Sequence, residues 1–279
     1  MKSLSKLPIL LLFILLFSLP FQTAHASAPL NILLLGFDFW GDETIGNSWS
    51  DVNVIVSLDM EKQRVVFISL MRDSYVQMPG GNSVRLNAVV RESDFDTMLR
   101  VIQENYGVAV PYYIAIGMSG FKRLITAAGG VEVNISRSEY ESLRKRGMAS
   151  GIPGPGKQVL KGSAAYNYVK DRYMGGGDGV RTGKARDLLT SLLGQMRDRP
   201  VSELLEFATV ALSEIETNMP LPEIMALATQ LPGMNDTRVE DYGVPIPNSF
   251  QYVTVHGMST VQLDWEVNRA AIQRYLAGE

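Results

Sequence analysis

Hydrophobic and polar positions along the chain form blocks that predict strands and helices. The run Leu30–Phe37 is almost continuously apolar, which is typical of a strand buried on both faces. Val52–Leu58 and Val65–Leu70 are two more apolar, β-branched runs, and the short polar segment between them predicts a hairpin. Asp94–Tyr106 carries apolar residues at helical spacing, so we expect a helix with one buried face.

The same alternation continues in the middle of the chain. Tyr112–Ile116 and Val131–Ile135 are predicted strands, and they flank a predicted helix from Ser119 to Ala128 that ends at a pair of glycines. Such alternation predicts an α/β fold: a single domain with a central mixed, twisted β-sheet flanked by helices.

The second half of the chain predicts loops and helices. The glycine- and proline-rich segment 147–156 and the glycine-rich segment 174–179 are predicted loops. Between them we expect a helix over Leu160–Tyr168 and a short strand over Tyr168–Arg172. The remainder predicts helices from Lys184 onward, over Val201–Ile215, over Leu221–Leu231 and near Trp265–Leu276. The C-terminal third is therefore expected to be largely helical and to pack on the same sheet.

The N-terminus has the order of features found in a secretory signal. Lys2 and Lys6 precede an apolar run over Leu7–Phe21, and Ala24-His25-Ala26 gives the small-x-small pattern of a cleavage site. The run has about 15 residues, fewer than the roughly 20 that a membrane-spanning helix needs. We expect residues 1–26 to be a signal peptide or a retained N-terminal membrane anchor, with the working part secreted or extracytoplasmic. Residues 30–200 are the expected core of the domain, and 201–279 its C-terminal extension.

Composition excludes several kinds of site. The 279 residues include no cysteine and two histidines, so disulfides, iron–sulfur centres, thiol nucleophiles and multi-histidine metal centres are excluded. The formal charge is −3, and loss of residues 1–26 would make it −5, because only Lys2 and Lys6 are charged in that segment. An acidic exported chain is a poor candidate for binding nucleic acid.

Two aspartates and one Arg-Asp pair follow or precede the predicted strands. Asp38 follows the first strand and Asp51 precedes the second, so they are either solvated loop residues or carboxylate ligands of a hard cation such as Mg²⁺. Arg72-Asp73 follows the third strand, and Arg85 comes after a short turn. Surface salt bridges would explain these last residues equally well.

Basic residues are concentrated between positions 157 and 186. Seven cations stand there against two acidic residues, Asp171 and Asp178. The cations are Lys157, Lys161, Lys170, Arg172, Arg181, Lys184 and Arg186. If 168–172 is extended, Lys170 and Arg172 share a face. A solvated basic face and a phosphate site closed by the glycine-rich loop both remain open.

In order and spacing, these segments resemble the LytR-CpsA-Psr family. The blocks are NILLLGFD, WSDVNVIVSL, VVFISLMRDSYVQMPG, RLNAVV, YYIAIGMSGFKRLITAAGGVEVNI, KQVLKGSAAYNYVKDR and DGVRTGKAR. They run from about Asn31 to Arg199. The resemblance implies an extracytoplasmic enzyme that moves a glycopolymer such as teichoic acid from a polyprenyl (undecaprenyl) pyrophosphate carrier onto peptidoglycan at the membrane surface.

The resemblance also implies roles for individual residues. Asp38 and Asp51 would hold Mg²⁺ and, with Arg72 and Arg172, form the catalytic set. The pyrophosphate would be bound by Arg72, Arg85, Lys170, Arg172, Arg181 and Lys184, with Asp73 orienting the arginines. The lipid would lie in an apolar pocket between sheet and helices. Hydrolysis of the polyprenyl pyrophosphate would be a side activity.

The chain departs from the family pattern at several of these positions. Trp49 stands where the family usually has arginine, Lys170 replaces one of a pair of arginines, and Lys184-Ala185 replaces Arg-Gln. Lysine lacks the bidentate guanidinium fork. A non-catalytic or weakly active binding module for the same lipid-linked polymers is therefore the alternative to the enzyme.

Overall fold

A six-stranded mixed sheet forms the centre of the part of the chain that the computed structural model describes, residues 29–38, 44–171, 178–230 and 237–279. The strands are β1 (Leu30–Phe37), β2 (Ser50–Asp59), β3 (Arg64–Leu70), β4 (Tyr75–Gln77), β5 (Ser83–Arg85), β6 (Tyr112–Gly117), β7 (Val131–Ile135), β8 (Gly156–Leu160), β9 (Ile215–Thr217), β10 (Arg238–Val244), β11 (Phe250–Val255) and β12 (Met258–Leu263). The central order is β10-β3-β2-β1-β6-β9. The neighbours of β2 are antiparallel to it, whereas β1 and β6 are parallel.

Helices cover the sheet. They are α1 (Val89–Glu92), α2 (Phe95–Val101), α3 (Met118–Ala127), α4 (Arg137–Lys145), α5 (Gly162–Lys170), α6 (Asp178–Arg197), α7 (Val201–Leu212), α8 (Leu221–Gln230) and α9 (Trp265–Ala277). The predicted α/β class with a mixed central sheet is therefore confirmed. Within the described ranges, none of the helices combines the length and the apolar character that crossing a membrane requires. The predicted signal or anchor over residues 1–26 lies outside those ranges.

The strongest sequence patterns correspond closely to the observed elements. The strand Leu30–Phe37 and the β2–β3 hairpin are confirmed, as are the predicted strands that became β6 and β7. The helix predicted from Asp94 is confirmed as α2, which starts with the Asp94 side chain accepting a hydrogen bond from the Thr97 amide. It continues as a π-helical turn over Ile102–Tyr106.

Three predictions about the second half are wrong in detail. The segment from Tyr168 is not a strand, because α5 continues to Lys170, whose ammonium reaches back one helical turn to the Tyr166 hydroxyl. Helix α6 begins at Asp178, ahead of the predicted start at Lys184. Ile215 belongs to strand β9, which pairs with β6, instead of ending a helix.

The two faces of the sheet are covered differently. One face carries the main core, with Leu33, Ile55 and Ile68 fully buried under α2 and α9. The other face carries a smaller cluster in which Val56 and Phe67 pack against helix α6. Side chains alternate between faces along a strand, so the residue numbers of the two clusters alternate as well. The second face therefore has the smaller buried cluster.

A buried ion pair ties the edge strand β10 to the last helix. Arg64 hydrogen-bonds Glu240 at 2.6 Å and also donates to the carbonyls of Tyr275 and Leu276 at the end of α9. Both side chains of the pair are 9% exposed. The hydrogen bond from Arg64 holds the pKa of Glu240 below its usual range.

We expect Arg64→Ala to lower the free energy of unfolding by about 3 kcal/mol, because it leaves Glu240 buried without its main partner. Arg238→Ala is the matched control, since Arg238 contacts the same carboxylate from a side chain that is 72% exposed. Its cost should stay below about 1 kcal/mol. Urea denaturation of both variants measures the difference, and equal losses would contradict the assigned role of Arg64.

Candidate functional site

Three strand termini meet at one end of the sheet and bring charged residues together. Phe37, the last residue of β1, pairs with Ser50 at the start of β2, so Asp38 and Asp51 emerge at the same end. Strand β3 is antiparallel to β2 and finishes at that end too, where Arg72 and Asp73 follow it. The sequence order alone does not show that these charged residues lie at one end of the sheet. The antiparallel pairing of β2 with β1 and β3 requires it.

A β-bulge changes the direction of the second carboxylate. Gly36 pairs with Val52, yet the next residue, Phe37, pairs with Ser50, so the register passes over Asp51. A bulge of this kind bends the strand and redirects a side chain, and it is common beside active sites. Gly36 fits this bend, since a Cβ at that position would come within 3.0 Å of the Val52 Cβ.

Arginine and aspartate alternate across the site in a continuous ladder. Arg72 Nη1 lies 2.5 Å from Asp51 Oδ1, and its Nε lies 3.5 Å from Asp73 Oδ2. Arg85 Nη1 donates to the other oxygen of Asp73 at 3.3 Å. Each of these four side chains is about one-fifth exposed. They are thus held in place by each other but remain within reach of a ligand.

Trp49 extends the ladder with an aromatic ring. The guanidinium carbon of Arg85 lies 5.3 Å from the ring centroid, and that of Arg91 lies 4.7 Å from it. Both distances are within the range of cation–π attraction. Trp49, which stands where the family usually has arginine, therefore packs against two arginines at the site. Residue types alone did not predict this contact.

The first carboxylate belongs to a second cluster. Asp38 Oδ1 accepts a hydrogen bond from the Tyr166 hydroxyl at 2.8 Å, and Oδ2 lies 2.9 Å from Lys170 Nζ. Lys170 also donates to the Tyr166 oxygen at 2.8 Å. Burial lowers the pKa of Lys170, but these contacts raise it by more, and burial raises the pKa of Tyr166. Lys170 is therefore a stable cation and Tyr166 a neutral hydroxyl.

Tyr166 was missed by the sequence reasoning. It stands four residues before Lys170, a spacing that places two side chains on one helical face. Because a strand was predicted from Tyr168, the helical spacing of Tyr166 and Lys170 was not recognised. A longer helix in the prediction would have brought Tyr166, Lys170 and Asp38 into one hypothesis.

The structure places Lys184 away from these accessible cations. Its ammonium lies 3.3 Å from Asp171 and 3.8 Å from Glu139, and it sits 4.9 Å from the centre of the Tyr168 ring. The Lys184 side chain is 3% exposed and that of Asp171 is fully buried. This buried pair joins α6 to α5, so the position of Lys184 is that of a structural residue.

The other basic candidates fall where side chains are not described. Arg172 lies outside the described residues, and for Arg181 and Arg186 only the helical backbone of α6 is described. Their predicted contacts with phosphate stay predictions.

An apolar groove lies on the thinly covered face of the same sheet. Its volume is about 210 Å³, and apolar residues of β1, β2, β3 and α6 line it. They are Ile32, Leu34, Val56, Leu58, Val65, Phe67, Leu189, Leu192, Leu193 and Met196. Leu34 stands four residues before Asp38, or roughly 13 Å along an extended strand. Leu34 is thus the strand residue of the groove nearest to Asp38, and the lining residues of β2 and β3 lie farther away, toward the turn that joins these two strands.

The charges of the described site are balanced. Three carboxylates (Asp38, Asp51, Asp73) face three cations (Arg72, Arg85, Lys170). Among the residues that the structure describes, no three acidic or histidine side chains are grouped closely enough to hold a metal by themselves.

A family model matches residues 17–271, which is most of the chain and includes all of these groups. The chain belongs to the LytR_cpsA_psr family. The match also extends beyond Arg199, where the sequence resemblance was loose, and takes in the C-terminal hairpin and about half of α9.

Individual relatives are distant in sequence. The chain is 26% identical over 207 residues to the Enterococcus faecalis polyisoprenyl-teichoic acid–peptidoglycan teichoic acid transferase TagU, covering 72% of this chain and 65% of TagU. It is 24% identical over 255 residues to the Staphylococcus aureus regulatory protein MsrR, covering 88% and 74% of the two chains. The chain thus spans slightly less than two-thirds of the length of TagU.

Solved structures share the fold. The structure of TagT bound to LIIa-WTA matches 91% of each chain with a TM-score of 0.72 at 18% identity. At that identity the likeness establishes the fold, and the function has to be argued from the site.

Proposed function

We propose that this protein is an extracytoplasmic phosphotransferase that moves a glycopolymer from a polyprenyl pyrophosphate carrier onto peptidoglycan. The observation that carries the proposal is that one sheet bears both the arginine–aspartate ladder at its strand ends and an apolar groove on one face. A polyprenyl pyrophosphate has both parts, an isoprenoid chain and two phosphates. The names of the relatives TagU and TagT support the same substrate class.

In the proposed reaction a hydroxyl of the acceptor attacks the phosphorus that carries the polymer. A bond forms between that oxygen and the phosphorus, the bond to the bridging oxygen breaks, and polyprenyl monophosphate leaves. The hydroxyl proton passes to water at the strand ends, because the carboxylates of Asp38 and Asp51 serve the cation. In phosphoryl transfer a protein mainly orients the groups and neutralises charge, which is the role of Arg72 and Arg85.

Mg²⁺ fits the donor set of this site. It commonly takes one or two protein carboxylates and completes its shell with water and phosphate oxygens. Asp38 and Asp51 would hold it, and it would neutralise the pyrophosphate and polarise the phosphorus under attack. Arg172 and Arg181 would add the remaining positive charge.

The export of the chain is part of the proposal. A lipid-linked polymer and its peptidoglycan acceptor meet outside the cytoplasm, at the membrane surface. The predicted signal or anchor over residues 1–26 agrees with this place of action.

A transfer assay tests the proposal. The protein is incubated with Mg²⁺, a radiolabelled glycopolymer on a polyprenyl pyrophosphate, and peptidoglycan fragments. The expected result is label in the peptidoglycan and release of polyprenyl monophosphate, both lost when EDTA is added. Tight binding of the donor with no transfer and no hydrolysis would favour a non-catalytic binding module instead.

The support that Trp49 gives to the arginines can be measured separately. We expect Trp49→Ala to weaken binding of inorganic pyrophosphate about fivefold, because Arg85 loses a cation–π contact of about 1 kcal/mol. Trp49→Phe should recover part of the loss, since a phenyl ring keeps the attraction in weaker form. Isothermal titration calorimetry of the three proteins provides the comparison. Unchanged affinity in the alanine variant would mean that the ring does not position Arg85.

A further inference from the structure

Both oxygens of Asp38 are in contact with other side chains of the site. The Tyr166 hydroxyl donates to Oδ1 at 2.8 Å, and Lys170 Nζ lies 2.9 Å from Oδ2. Lys170 also donates to the Tyr166 oxygen, so the three groups form a closed ring of contacts. A divalent cation bound to Asp38 would therefore lie beside the Lys170 ammonium unless the lysine moves away, and like charges at such a distance repel each other.

The second carboxylate of the site has a cationic partner as well. Asp51 Oδ1 lies 2.5 Å from Arg72 Nη1, and Arg72 also reaches Asp73 through its Nε. The charge of Asp51 is thus balanced by Arg72 as that of Asp38 is balanced by Lys170. A nearby opposite charge weakens the attraction that a carboxylate exerts on any other cation.

Lys170 can leave its carboxylate more easily than Arg72 can. The Lys170 side chain is 32% exposed and ends in a compact ammonium on a flexible stem, whereas Arg72 is 20% exposed and is held between two carboxylates. The backbone next to Lys170 is fixed, because the following residue, Asp171, is fully buried and pairs with Lys184. The side chain of Lys170 can therefore turn away while helix α5 stays in place.

Resting on the proposed function, we infer that Lys170 competes with the divalent cation for Asp38, and that the phosphates of the donor decide between them. The phosphate oxygens of a bound donor attract the ammonium of Lys170, which leaves the Asp38 carboxylate to the cation. The cation and the pyrophosphate then bind together, whereas the protein alone has a low affinity for the metal. Lys170 and Tyr166 are thus positioning residues that control when Asp38 acts as a ligand.

Binding of Mn²⁺ to the full chain without donor tests the competition. Mn²⁺ accepts the same oxygen ligands as Mg²⁺, and electron paramagnetic resonance measures the free ion. Lys170→Gln should bind Mn²⁺ about tenfold more tightly than the wild type, because the competing ammonium is gone. Replacing Asp38 with asparagine in the Lys170→Gln protein should abolish this gain. Unchanged affinity in Lys170→Gln, or a gain that survives the loss of Asp38, would overturn the inference.

Lys122→Gln is the matched control for the loss of a positive charge. The Lys122 ammonium lies against the face of the Tyr166 ring, 4.6 Å from its centroid, so it is close to the same cluster. Its removal should change the affinity for Mn²⁺ less than about threefold, because it acts only at a distance through a screening solvent. Equal gains in Lys122→Gln and Lys170→Gln would mean that total charge alone matters, and the competition would be refuted.

The joint binding of cation and phosphates is tested with farnesyl pyrophosphate, a short form of the proposed carrier. Calorimetry measures its affinity with and without Mn²⁺. The gain that Mn²⁺ produces should be about tenfold larger in the wild type than in Lys170→Gln, since the coupling between two ligands is reciprocal. Complex formation between Mn²⁺ and free farnesyl pyrophosphate is the same for both proteins and cancels in the comparison.

The outcomes of this measurement separate the inference from the proposed function. An equal gain in the two proteins would overturn the inference and leave the proposed function intact. Failure of the wild type to bind farnesyl pyrophosphate, with or without Mn²⁺, would refute the proposed function itself.

Discussion

Replacing Arg72 with alanine is expected to lower kcat/KM for polymer transfer about 100-fold, the effect of removing one preorganised donor from a developing negative charge. Arg72 is the central member of the ladder, since its guanidinium contacts both Asp51 and Asp73. Arg72→Lys should also be impaired, by roughly tenfold or more, because lysine keeps the charge but loses the planar fork. The radiolabelled transfer assay measures both variants.

Arg123→Ala is the control for the arginine variants. Arg123 forms an equally close pair with Glu214, but its side chain is 61% exposed and lies on helix α3, outside the ladder. It should transfer polymer at the wild-type rate. Transfer by Arg72→Ala at the same rate as Arg123→Ala would remove the ladder from the mechanism.

A charge placed in the apolar groove is expected to lower the affinity for the lipid carrier strongly. The affinity for inorganic pyrophosphate should hardly change. In Leu193→Asp a carboxylate would face the isoprenoid chain, and each buried methylene is worth about 0.8 kcal/mol. We therefore expect at least about a 30-fold loss of affinity for farnesyl pyrophosphate, or about 2 kcal/mol. Affinity for inorganic pyrophosphate should change less than about twofold, since the ladder is untouched.

Thr190→Asp on the same helix controls for the added charge, because Thr190 does not line the groove. Thermal melting of both variants checks that α6 still packs on the sheet. An equal loss of farnesyl pyrophosphate affinity in the two variants would mean that the groove does not hold the lipid.

Much of the sheet was predictable because it is buried on both faces. A strand such as β1 then needs a nearly continuous apolar run, and the run Leu30–Phe37, interrupted by Asn31, has the bounds of β1. The hairpin β2–β3 was equally clear, since its polar turn is short. These elements determine that Asp38, Asp51 and Arg72 share one end of the sheet, and their roles in the site stay predictions.

The partners within the site were less predictable because they depend on long-range geometry. The contact of Asp38 with Tyr166 requires helix α5 to cross the end of β1, which no local pattern encodes. The bulge at Asp51 is set by a register shift with β1. Lys184 resembled a phosphate-binding residue in sequence but pairs with Asp171 inside the protein.

The position of the hairpin β11–β12 next to Arg72 and Arg85 was not foreseen, for the same reason. Its strands β11 and β12 mix exposed and buried positions, so the sequence indicated only short extended pieces there. The hydrogen bond from Val261 to Asp73 joins segments that are far apart in the chain. Only the folded structure shows that Tyr252 stands across from Arg72 and Arg85.

The central claim is that one bound molecule spans the groove and the ladder, and a crystal structure of the protein with farnesyl pyrophosphate and Mg²⁺ tests it most directly. The predicted result is an isoprenoid chain between Phe67 and Leu193, with phosphate oxygens in contact with Arg72 and Arg85. The account would be contradicted by a ligand that binds at another surface while the side chains of the groove keep it closed.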